Sequence, residues 1–350
     1  MARVTHTITI VCMLAIAACS PSSEGKRDAK PVTLHLFTWS DYTEETAAKE
    51  FEQKFGIKIV TDTFGSNEEL LAKMQGGASG YDIIVPSDYM VSIMIKQGLL
   101  ARIDPSKIPN LAQVYKHLKG LYYDPQNTYS VPYLWGTTGI GYNADVVRSV
   151  PDSWNVLSSG EYKGKISLLN DEREVFAMAL RAEGFPMNST DPSQIAIAKN
   201  RLMAQKPLIK TYTSENYDQL LVSGEVVLAH GWSGTILRAA ADKPSIKYVI
   251  PKEGGTIWQD NFCVLQTSIH KPEAMTFINY LLEPEVAARI SAKVHYASAN
   301  EAARLYLPKE VATNPVIYPT EATIAKLEWI KDVGETIKLY DRAWTELKVK

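Results

Sequence analysis

The sequence contains little cysteine, little histidine and little net charge, and each shortage excludes a class of protein. Only 3 of its 350 residues are cysteine and 6 are histidine, and no two histidines have the spacing of a metal site. Its 37 basic and 39 acidic residues give a formal net charge of −2, whereas a nucleic-acid-binding protein needs a basic face. We therefore expect no metal, no cofactor and no nucleic-acid partner.

Long hydrophobic runs are also missing. The apolar run over residues 8–18 is too short to span a bilayer as a permanent helix. It ends in small residues, and Cys19 and a polar stretch follow directly. This order resembles a bacterial lipobox, so we expect a signal peptide over residues 1–18, a lipid on Cys19 and a flexible tether over residues 19–30. The protein would then be periplasmic or lie on the outer face of the cell membrane, held by its lipid. An ordinary signal peptide cut near Ala18 is the alternative, and it also places the protein outside the cytoplasm.

The lipobox interpretation also accounts for the cysteines. Cys12 would leave with the signal peptide and Cys19 would carry the lipid, so Cys263 stands alone and no internal disulfide can form. A single cysteine in a strand-like segment is usually a small buried hydrophobic residue. Apolar residues make up 45% of the sequence, and a chain of this length usually divides into two lobes.

Strand-like and helix-like segments alternate along the chain after the tether. Residues 32–37 have the pattern of a strand, and residues 44–55 carry apolar side chains at helical spacing. Ser66 and Glu69 have the spacing of a capping box that opens a helix. Residues 81–86 are typical of a strand buried on both faces. The alternation continues downstream and predicts an α/β fold with mainly parallel sheets flanked by helices.

The predicted strand ends are rich in aromatic rings and carboxylates, and ligands of open α/β folds bind beyond the carboxyl ends of the strands. Aromatic faces attract cations by about 0.5–2 kcal/mol, and carboxylates supply the charge that lets a cation leave water. Such a set suits an elongated polycation with methylene groups between its charges. The segments concerned are residues 39–42, 86–89, 170–174, 230–234 and 258–260, with Tyr296.

Each of these residues alone has an ordinary structural explanation. A tryptophan in a chain of this length is usually a core residue. An aspartate directly after a strand, such as Asp41 or Asp171, is often a helix N-cap. The recurrence of the same residue types at several separate strand ends favours the binding interpretation.

From about Val32 onward the chain resembles the spermidine/putrescine-binding proteins that feed bacterial ABC importers. The segments that carry the resemblance follow one another along the whole chain: Trp39-Ser40-Asp41-Tyr42, Ser66-Asn67-Glu68, Val85-Pro86-Ser87, Val131-Pro132-Tyr133-Leu134-Trp135-Gly136, Arg173-Glu174-Val175-Phe176, Pro251-Lys252-Glu253-Gly254-Gly255 and Val294-His295-Tyr296-Ala297. The resemblance implies a two-lobed periplasmic-binding-protein clamp with crossover hinge strands. One lobe would comprise residues 31–136 and 260–304, and the other residues 137–259 and 305–350.

The resemblance also implies the roles of the candidate residues. An aromatic box would surround the ligand, formed by Trp39, Tyr42, Tyr89, Trp232, Trp258 and Tyr296. Carboxylates would take the ammonium groups, from Asp41, Asp171, Glu174 and Asp260. Ser40 and Ser87 would add polar contacts. The clamp would close on a polyamine and then dock on an ABC permease with its ATPase.

Several positions bear on the choice between polyamines. The pair Ser40-Asp41 follows the putrescine-binding type, and Ile330 replaces a glutamine of spermidine binders. Thr235 lacks the extra carboxylate that putrescine binders carry at that position. Three further positions follow the spermidine type: Tyr89, Asp171 and Trp258. The balance favours spermidine, with putrescine as a weaker or alternative ligand.

Two other functions stay open at this point. Residues 231–235 partly match the nucleophile elbow of hydrolases, with Ser233 as the nucleophile and His270 or His295 as the only downstream histidines. The final glycine of that motif is replaced by Thr235. A polyamine sensor would bind its ligand in the same way as a transport component, and the residues do not separate the two.

Overall fold

The structure is a computed structural model, and it describes residues 1–2, 32–40, 42, 45–77 and 80–349. By its contacts the chain divides into two units, Met1–Pro31 and Val32–Lys350. Of the first unit only Met1 and Ala2 are described, so the predicted signal peptide, Cys19 and the tether lie outside the described residues. All that follows concerns the second unit.

Strands and helices alternate through the second unit, as the sequence predicts. The strands are β1 Thr33–Trp39, β2 Lys58–Phe64, β3 Ile83–Ile84, β4 Val131–Asn143, β5 Ile166–Leu168, β6 Ile209–Tyr212, β7 Leu228–Trp232, β8 Ile246–Val249, β9 Gly255–Val264, β10 Ala297–Ser298 and β11 Leu327–Trp329. The α-helices are α1 Glu45–Phe55, α2 Asn67–Gln75, α3 Asp88–Lys96, α4 Glu172–Ala182, α5 Pro192–Gln205, α6 Tyr217–Ser223, α7 Ser233–Asp242, α8 Lys271–Leu281, α9 Pro284–Val294, α10 Lys309–Ala312, α11 Glu321–Ile324 and α12 Ile337–Val349.

Short 3₁₀ helices lie in the connections between these elements. Their bounds are Pro105–Lys107, Pro109–Gln113, Lys116–Leu118, Trp154–Ser158, Gly160–Tyr162, Lys206–Leu208, Ala302–Tyr306 and Gly334–Thr336. None of the helices in the described ranges is both long enough and apolar enough to cross a membrane.

Two long strands join the two halves of the sheet. The strand order is β2-β1-β3-β9-β4-β7-β5-β6, with β8 and β10 paired to β4 and β11 paired to β9. The pairs β1/β2, β1/β3, β5/β6, β5/β7 and β9/β11 are parallel. Every antiparallel pair includes β4 or β9, and both of these strands are buried along their whole length. They are the crossover hinge strands that the family resemblance implies.

Two large hydrophobic cores lie on either side of the crossover strands. The first contains Phe37 and Phe51 and extends to Phe262 and Ile290. The second is built mainly from residues between 140 and 249, with Tyr340, Ala343 and Leu347 of α12. The half-buried Trp232 packs against both cores. This arrangement gives the two lobes of the clamp, while the predicted lobe boundaries stay a prediction.

A local sequence signal explains the start of α2. The Ser66 hydroxyl accepts a hydrogen bond from the Glu69 amide at 3.2 Å, and the Glu69 carboxylate accepts one from the Gly65 amide at 2.9 Å. The predicted capping box therefore opens α2, although the glutamate reaches Gly65 instead of the cap residue itself.

The predicted strand over residues 81–86 is shorter in the structure. Only β3, Ile83–Ile84, is strand, between β1 and β9. The flanking amides of Asp82 and Val85 still donate to the carbonyls of His35 and Phe37 on β1. The chain is extended here, but it turns into α3 too soon for a longer strand.

Candidate functional site

A pocket lies between the two cores. Every described member of the predicted binding set lines it: Trp39, Ser40, Tyr42, Ser87, Tyr89, Asp171, Glu174, Trp232, Trp258, Asp260 and Tyr296. Asp41 lies outside the described residues. The structure thus brings together residues that are up to 257 positions apart in the sequence, from Trp39 to Tyr296.

Asp260 forms one carboxylate centre of the pocket. It lies on β9, where it accepts hydrogen bonds from the Tyr42 hydroxyl and the Ser87 hydroxyl, each at 2.6 Å. Asn67 braces Ser87, because its side-chain oxygen accepts from the Ser87 amide at 3.0 Å. Burial raises the pKa of Asp260 to about 7, although both hydroxyl bonds act in the opposite direction.

Glu174 forms a second carboxylate centre, on the first turn of α4. It accepts hydrogen bonds from the hydroxyls of Thr138 on β4 and Thr256 on β9, the shortest at 2.8 Å and 2.9 Å. Burial raises the pKa of Glu174 to about 7, against the effect of these bonds. A cation that enters the pocket would stabilise the ionised form of this buried carboxyl group.

Asp171 is both a helix N-cap and a lining residue of the pocket. It is the N-cap of α4, where its carboxylate accepts from the Glu174 amide at 3.0 Å. It also lines the pocket and is only 3% exposed. Burial raises the pKa of Asp171 well above its usual range, and the nearby carboxylates of Glu68 and Glu174 raise it further.

Aromatic rings form the walls between these carboxylates. Trp39 and Trp232 meet edge to face at 5.5 Å, and Trp258 meets Tyr296 at 5.1 Å. The second contact needs a glycine, because a Cβ at Gly136 would lie 2.6 Å from the Trp258 ring. The walls are therefore suited to methylene groups and to cation–π contacts.

The hydroxyl groups of the pocket are oriented by its carboxylates. Tyr42 and Ser87 donate to Asp260, and Tyr89 donates to Glu68 at 2.9 Å. Each of these three hydroxyl protons is therefore committed. The Ser87 oxygen also accepts a hydrogen bond from the Asn67 side-chain amide at 3.1 Å, so it has less capacity left to accept one from a ligand.

The lining is strongly acidic. Its carboxyl groups are those of Asp88, Asp171, Glu174 and Asp260, and the described lining residues include no lysine or arginine. Burial raises the pKa of Asp88 well above its usual range, although the Gln259 and Tyr89 amides donate to it at 3.1 Å and 2.6 Å. A cation that enters the pocket therefore displaces no basic side chain of the described lining, whereas an anion would be repelled by the carboxylates.

Several lining residues were absent from the predicted set: Phe64, Gly65, Asn67, Asp88, Ser214 and Ile330. Asp88 follows Ser87 at a predicted strand end, and Asn67 lies within a family-like segment, so a signal existed for both. The sequence indicates Ile330 only as a position that bears on the choice between polyamines. Nothing in the local sequence of Phe64 or Ser214 indicates a site.

The partial nucleophile elbow has a structural role. Ser233 is buried at the start of α7, and its hydroxyl accepts from the Thr137 amide at 3.4 Å. The next residue, Gly234, lets the Tyr296 ring approach, since a Cβ there would lie 2.6 Å from the ring. Within the described chain, no group of three or more histidine, cysteine, aspartate and glutamate residues is placed to hold a metal ion.

Comparison with known proteins shows the family to which this chain belongs. The family described as "Bacterial extracellular solute-binding protein" matches residues 46–319. The spermidine/putrescine-binding periplasmic protein of Escherichia coli is 38% identical over 319 residues, covering 90% of this chain and 91% of the relative. The putrescine-binding periplasmic protein PotF of the same species is 36% identical over 356 residues, covering 96% of each chain.

Solved structures agree with these sequence matches. A putative spermidine/putrescine ABC transporter protein from Listeria monocytogenes is 33% identical, with a TM-score of 0.88, and covers 91% of this chain and 99% of its own. A lipoprotein of Treponema pallidum, TpPotD, is 32% identical, with a TM-score of 0.81, and covers 90% of this chain and 99% of its own. These relatives are substrate-binding components of transporters and not enzymes, and they confirm the predicted two-lobed α/β clamp.

Proposed function

The chain belongs to the bacterial extracellular solute-binding proteins, and on that premise we propose that it captures polyamines for an ABC importer. Spermidine is the favoured ligand, with putrescine as the weaker or alternative one. The clamp closes on the ligand, docks on a permease and delivers the ligand for transport driven by an ATPase. The two Escherichia coli relatives are a spermidine/putrescine-binding and a putrescine-binding periplasmic protein, and the Listeria monocytogenes structure is described as a putative spermidine/putrescine ABC transporter.

The acidity of the pocket is the observation that carries this proposal. Four carboxyl groups and no described basic side chain line it. An amino acid or a sugar acid would bring a carboxylate that finds no cation among these lining residues. A ligand that carries only positive charges is the one that the lining accommodates.

The acidic groups lie on different elements, Asp260 on β9 and Asp171 and Glu174 at the start of α4, which favours a ligand with separated charges. The pKa of Asp260 is shifted by burial, Ser87 and Tyr42, whereas that of Asp171 is shifted by burial and by Glu68 and Glu174. The two centres therefore interact with different neighbours, and aromatic rings line the same pocket. Ammonium groups joined by methylene chains fit this alternation of charge and apolar surface.

Closure follows from the distribution of these contacts. Trp39 and Tyr89 belong to the first core, whereas Asp171 and Glu174 lie beside residues of the second. A ligand shifts the open–closed equilibrium only by its differential affinity for the two states. A polyamine that contacts both lobes has such a difference, because an open clamp separates the two sets of contacts.

We further propose that a lipid on Cys19 anchors the protein to a membrane. The family is extracellular, and the Treponema pallidum relative is described as a lipoprotein. Metabolic labelling with a radioactive fatty acid tests this, with a Cys19→Ser variant as control. Labelling that persists in the variant would contradict the assignment.

Titration of the purified protein tests the proposed ligand class. Spermidine and putrescine should bind saturably, whereas maltose should not bind and lysine should bind weakly if at all. Trp39, Trp232 and Trp258 line the pocket, so their fluorescence should respond to binding. Absence of calorimetric heat with every polyamine, from a folded sample at low salt, would refute the proposal.

A further inference from the structure

The carboxylate of Glu174 is attached to both crossover strands as well as to its own helix. Its Oε1 accepts a hydrogen bond from the Thr138 hydroxyl on β4 at 2.8 Å. Its Oε2 accepts one from the Thr256 hydroxyl on β9 at 2.9 Å, and the same hydroxyl lies 3.0 Å from Oε1. A carboxylate that lines the pocket is therefore connected, through two hydroxyl groups, to the strands that join the lobes.

The two threonines are partners in the sheet. Thr138 lies opposite Thr256 in the antiparallel pair of β4 and β9, so their side chains share one face of the sheet. Both residues are buried. The strand backbones pack closely at this point, because a Cβ at Gly255 would lie 2.3 Å from the Thr138 carbonyl oxygen. The sheet therefore fixes the positions from which the two hydroxyls reach the carboxylate.

Other charged or polar groups also face Glu174. Burial raises the pKa of Glu174, and among the groups that lower it Thr138 and Thr256 act more strongly than Trp232 and Arg173. The two hydroxyls are therefore the main support of the ionised carboxylate. The groups that face it are Asp171, Arg173 and Arg181 on α4, His230 and Trp232 on β7, Tyr248 on β8 and, in the same pocket, Asp260 on β9.

Such support matters for the binding of a cation. A hydrogen bond to a carboxylate favours its ionised form, and this form attracts an ammonium group. A glutamate side chain also loses rotamer freedom when it is fixed, and this cost weakens binding if the ligand has to impose it. Donors that are already in place in the sheet remove both costs from the binding step.

We propose that Thr138 and Thr256 are positioning residues for polyamine binding, which hold the Glu174 carboxylate ionised and oriented for an ammonium group. They act through Glu174, since neither threonine is among the residues that line the pocket. Because both hydroxyls come from crossover strands, the carboxylate is fixed to the hinge of the clamp. This inference rests on the proposed function, because it assigns to the two threonines a part in binding a polyamine.

Calorimetric titration with spermidine at pH 6 and pH 9 tests it, on the purified protein and on Thr138→Val. Valine keeps the shape of the side chain and removes the hydroxyl, so Glu174 holds its proton up to a higher pH in the free variant. Relative to the unaltered protein at the same pH, affinity should be about tenfold lower at pH 6 and within about twofold at pH 9. Thr256→Val should behave in the same way, and Thr138→Ser should restore the affinity at pH 6.

Thr137→Val is the matched control. Thr137 is the preceding buried residue of β4, and its hydroxyl is hydrogen-bonded to the Tyr248 hydroxyl at 2.8 Å. Its valine variant should match the unaltered protein at both pH values. An equal loss at pH 6 and pH 9 in Thr138→Val, no loss at pH 6, or the same loss in Thr137→Val would overturn the positioning role.

A second measurement needs no ligand. The ¹³C signal of the Glu174 side-chain carboxyl, assigned with Glu174→Gln, should titrate at a higher pH in Thr138→Val than in the unaltered protein. An unchanged midpoint would overturn the inference, whereas failure of the unaltered protein to bind any polyamine would refute the proposed function instead. If Thr138→Val does not fold, Thr256→Val decides by the same two measurements.

Discussion

The two ends of the pocket hold their carboxyl groups in different ways. At one end Asp260 lies on a crossover strand and receives two hydroxyl hydrogen bonds. At the other end Asp171 and Glu174 lie at the start of α4, among further carboxylates and close to Arg173. At the first end the Asp260 carboxylate is braced by neutral hydroxyl groups and raises the pKa of Asp88. At the second end, Glu68 and Glu174 raise the pKa of Asp171.

This difference indicates unequal roles in binding. A cation at Asp260 meets a carboxylate that two hydroxyl groups already hold in place, so this end should fix the position of one ammonium. A cation at the second end relieves repulsion between carboxylates and joins the lobes. The first end should therefore govern affinity for every polyamine, and the second should discriminate between them.

The largest expected effect comes from Asp260→Asn. Removal of one partner of a buried charge pair costs about 2–5 kcal/mol, so affinity for both spermidine and putrescine should fall by at least about thirtyfold. The ligand-free variant should be at least as stable at pH 8, because a carboxyl group with a raised pKa is destabilising when ionised. Calorimetry and thermal unfolding measure the two effects. Unchanged affinity in a folded variant would remove Asp260 from the site.

The next effect is the dependence of affinity on pH. Asp260 and Glu174 have a pKa of about 7 in the free pocket, and a bound cation favours their ionised forms. Binding should therefore release protons, and affinity should fall by about tenfold per group between pH 8 and pH 6. Calorimetry in buffers of different ionisation enthalpy measures the protons released.

Asp260→Asn also provides the control for this pH dependence. Of the two groups with a pKa of about 7, Glu174 then remains, so the loss between pH 8 and pH 6 should drop by about tenfold. Equal pH dependence in both proteins would show that Asp260 does not titrate on binding.

A smaller effect is expected from Trp258→Phe. The indole is the better cation–π partner, and phenylalanine keeps most of the packing against Tyr296. Affinity should fall by about fivefold for both polyamines, within the range of about 0.5–2 kcal/mol for such a contact. Fluorescence is unsuitable here because the variant lacks one reporter, so calorimetry is used. A selective loss for one polyamine would contradict the assignment of this ring to the shared part of the site.

The smallest expected effect comes from Ile330→Gln. Ile330 lines the pocket and its carbonyl accepts from the Tyr122 hydroxyl at 2.6 Å, so its backbone position is held. A glutamine adds one acceptor for an ammonium, worth about 0.5–1.5 kcal/mol, and should strengthen spermidine binding by about threefold. Weaker binding of spermidine in this variant would indicate that the apolar wall is required there.

Much of the fold and site was predictable because the signals are local. The capping box at Ser66 and the aspartate at the start of α4 act through hydrogen bonds within a few residues. The strand ends carried the aromatic and acidic residues that the structure assembles. Other lining residues, such as Phe64 and Ser214, could not be predicted, because their place depends on contacts with distant elements.

The sequence alone determined the alternation of strands and helices and the kinds of side chain at each strand end, since both depend on short-range pattern. Only the tertiary structure decided that Tyr42 and Ser87 share Asp260, and that Glu68 meets Tyr89 beside Asp171. These contacts join segments from both lobes. They also bury the carboxyl groups, and this burial raises the pKa of each one. Burial is a property of the packed molecule, so no local pattern could have specified it.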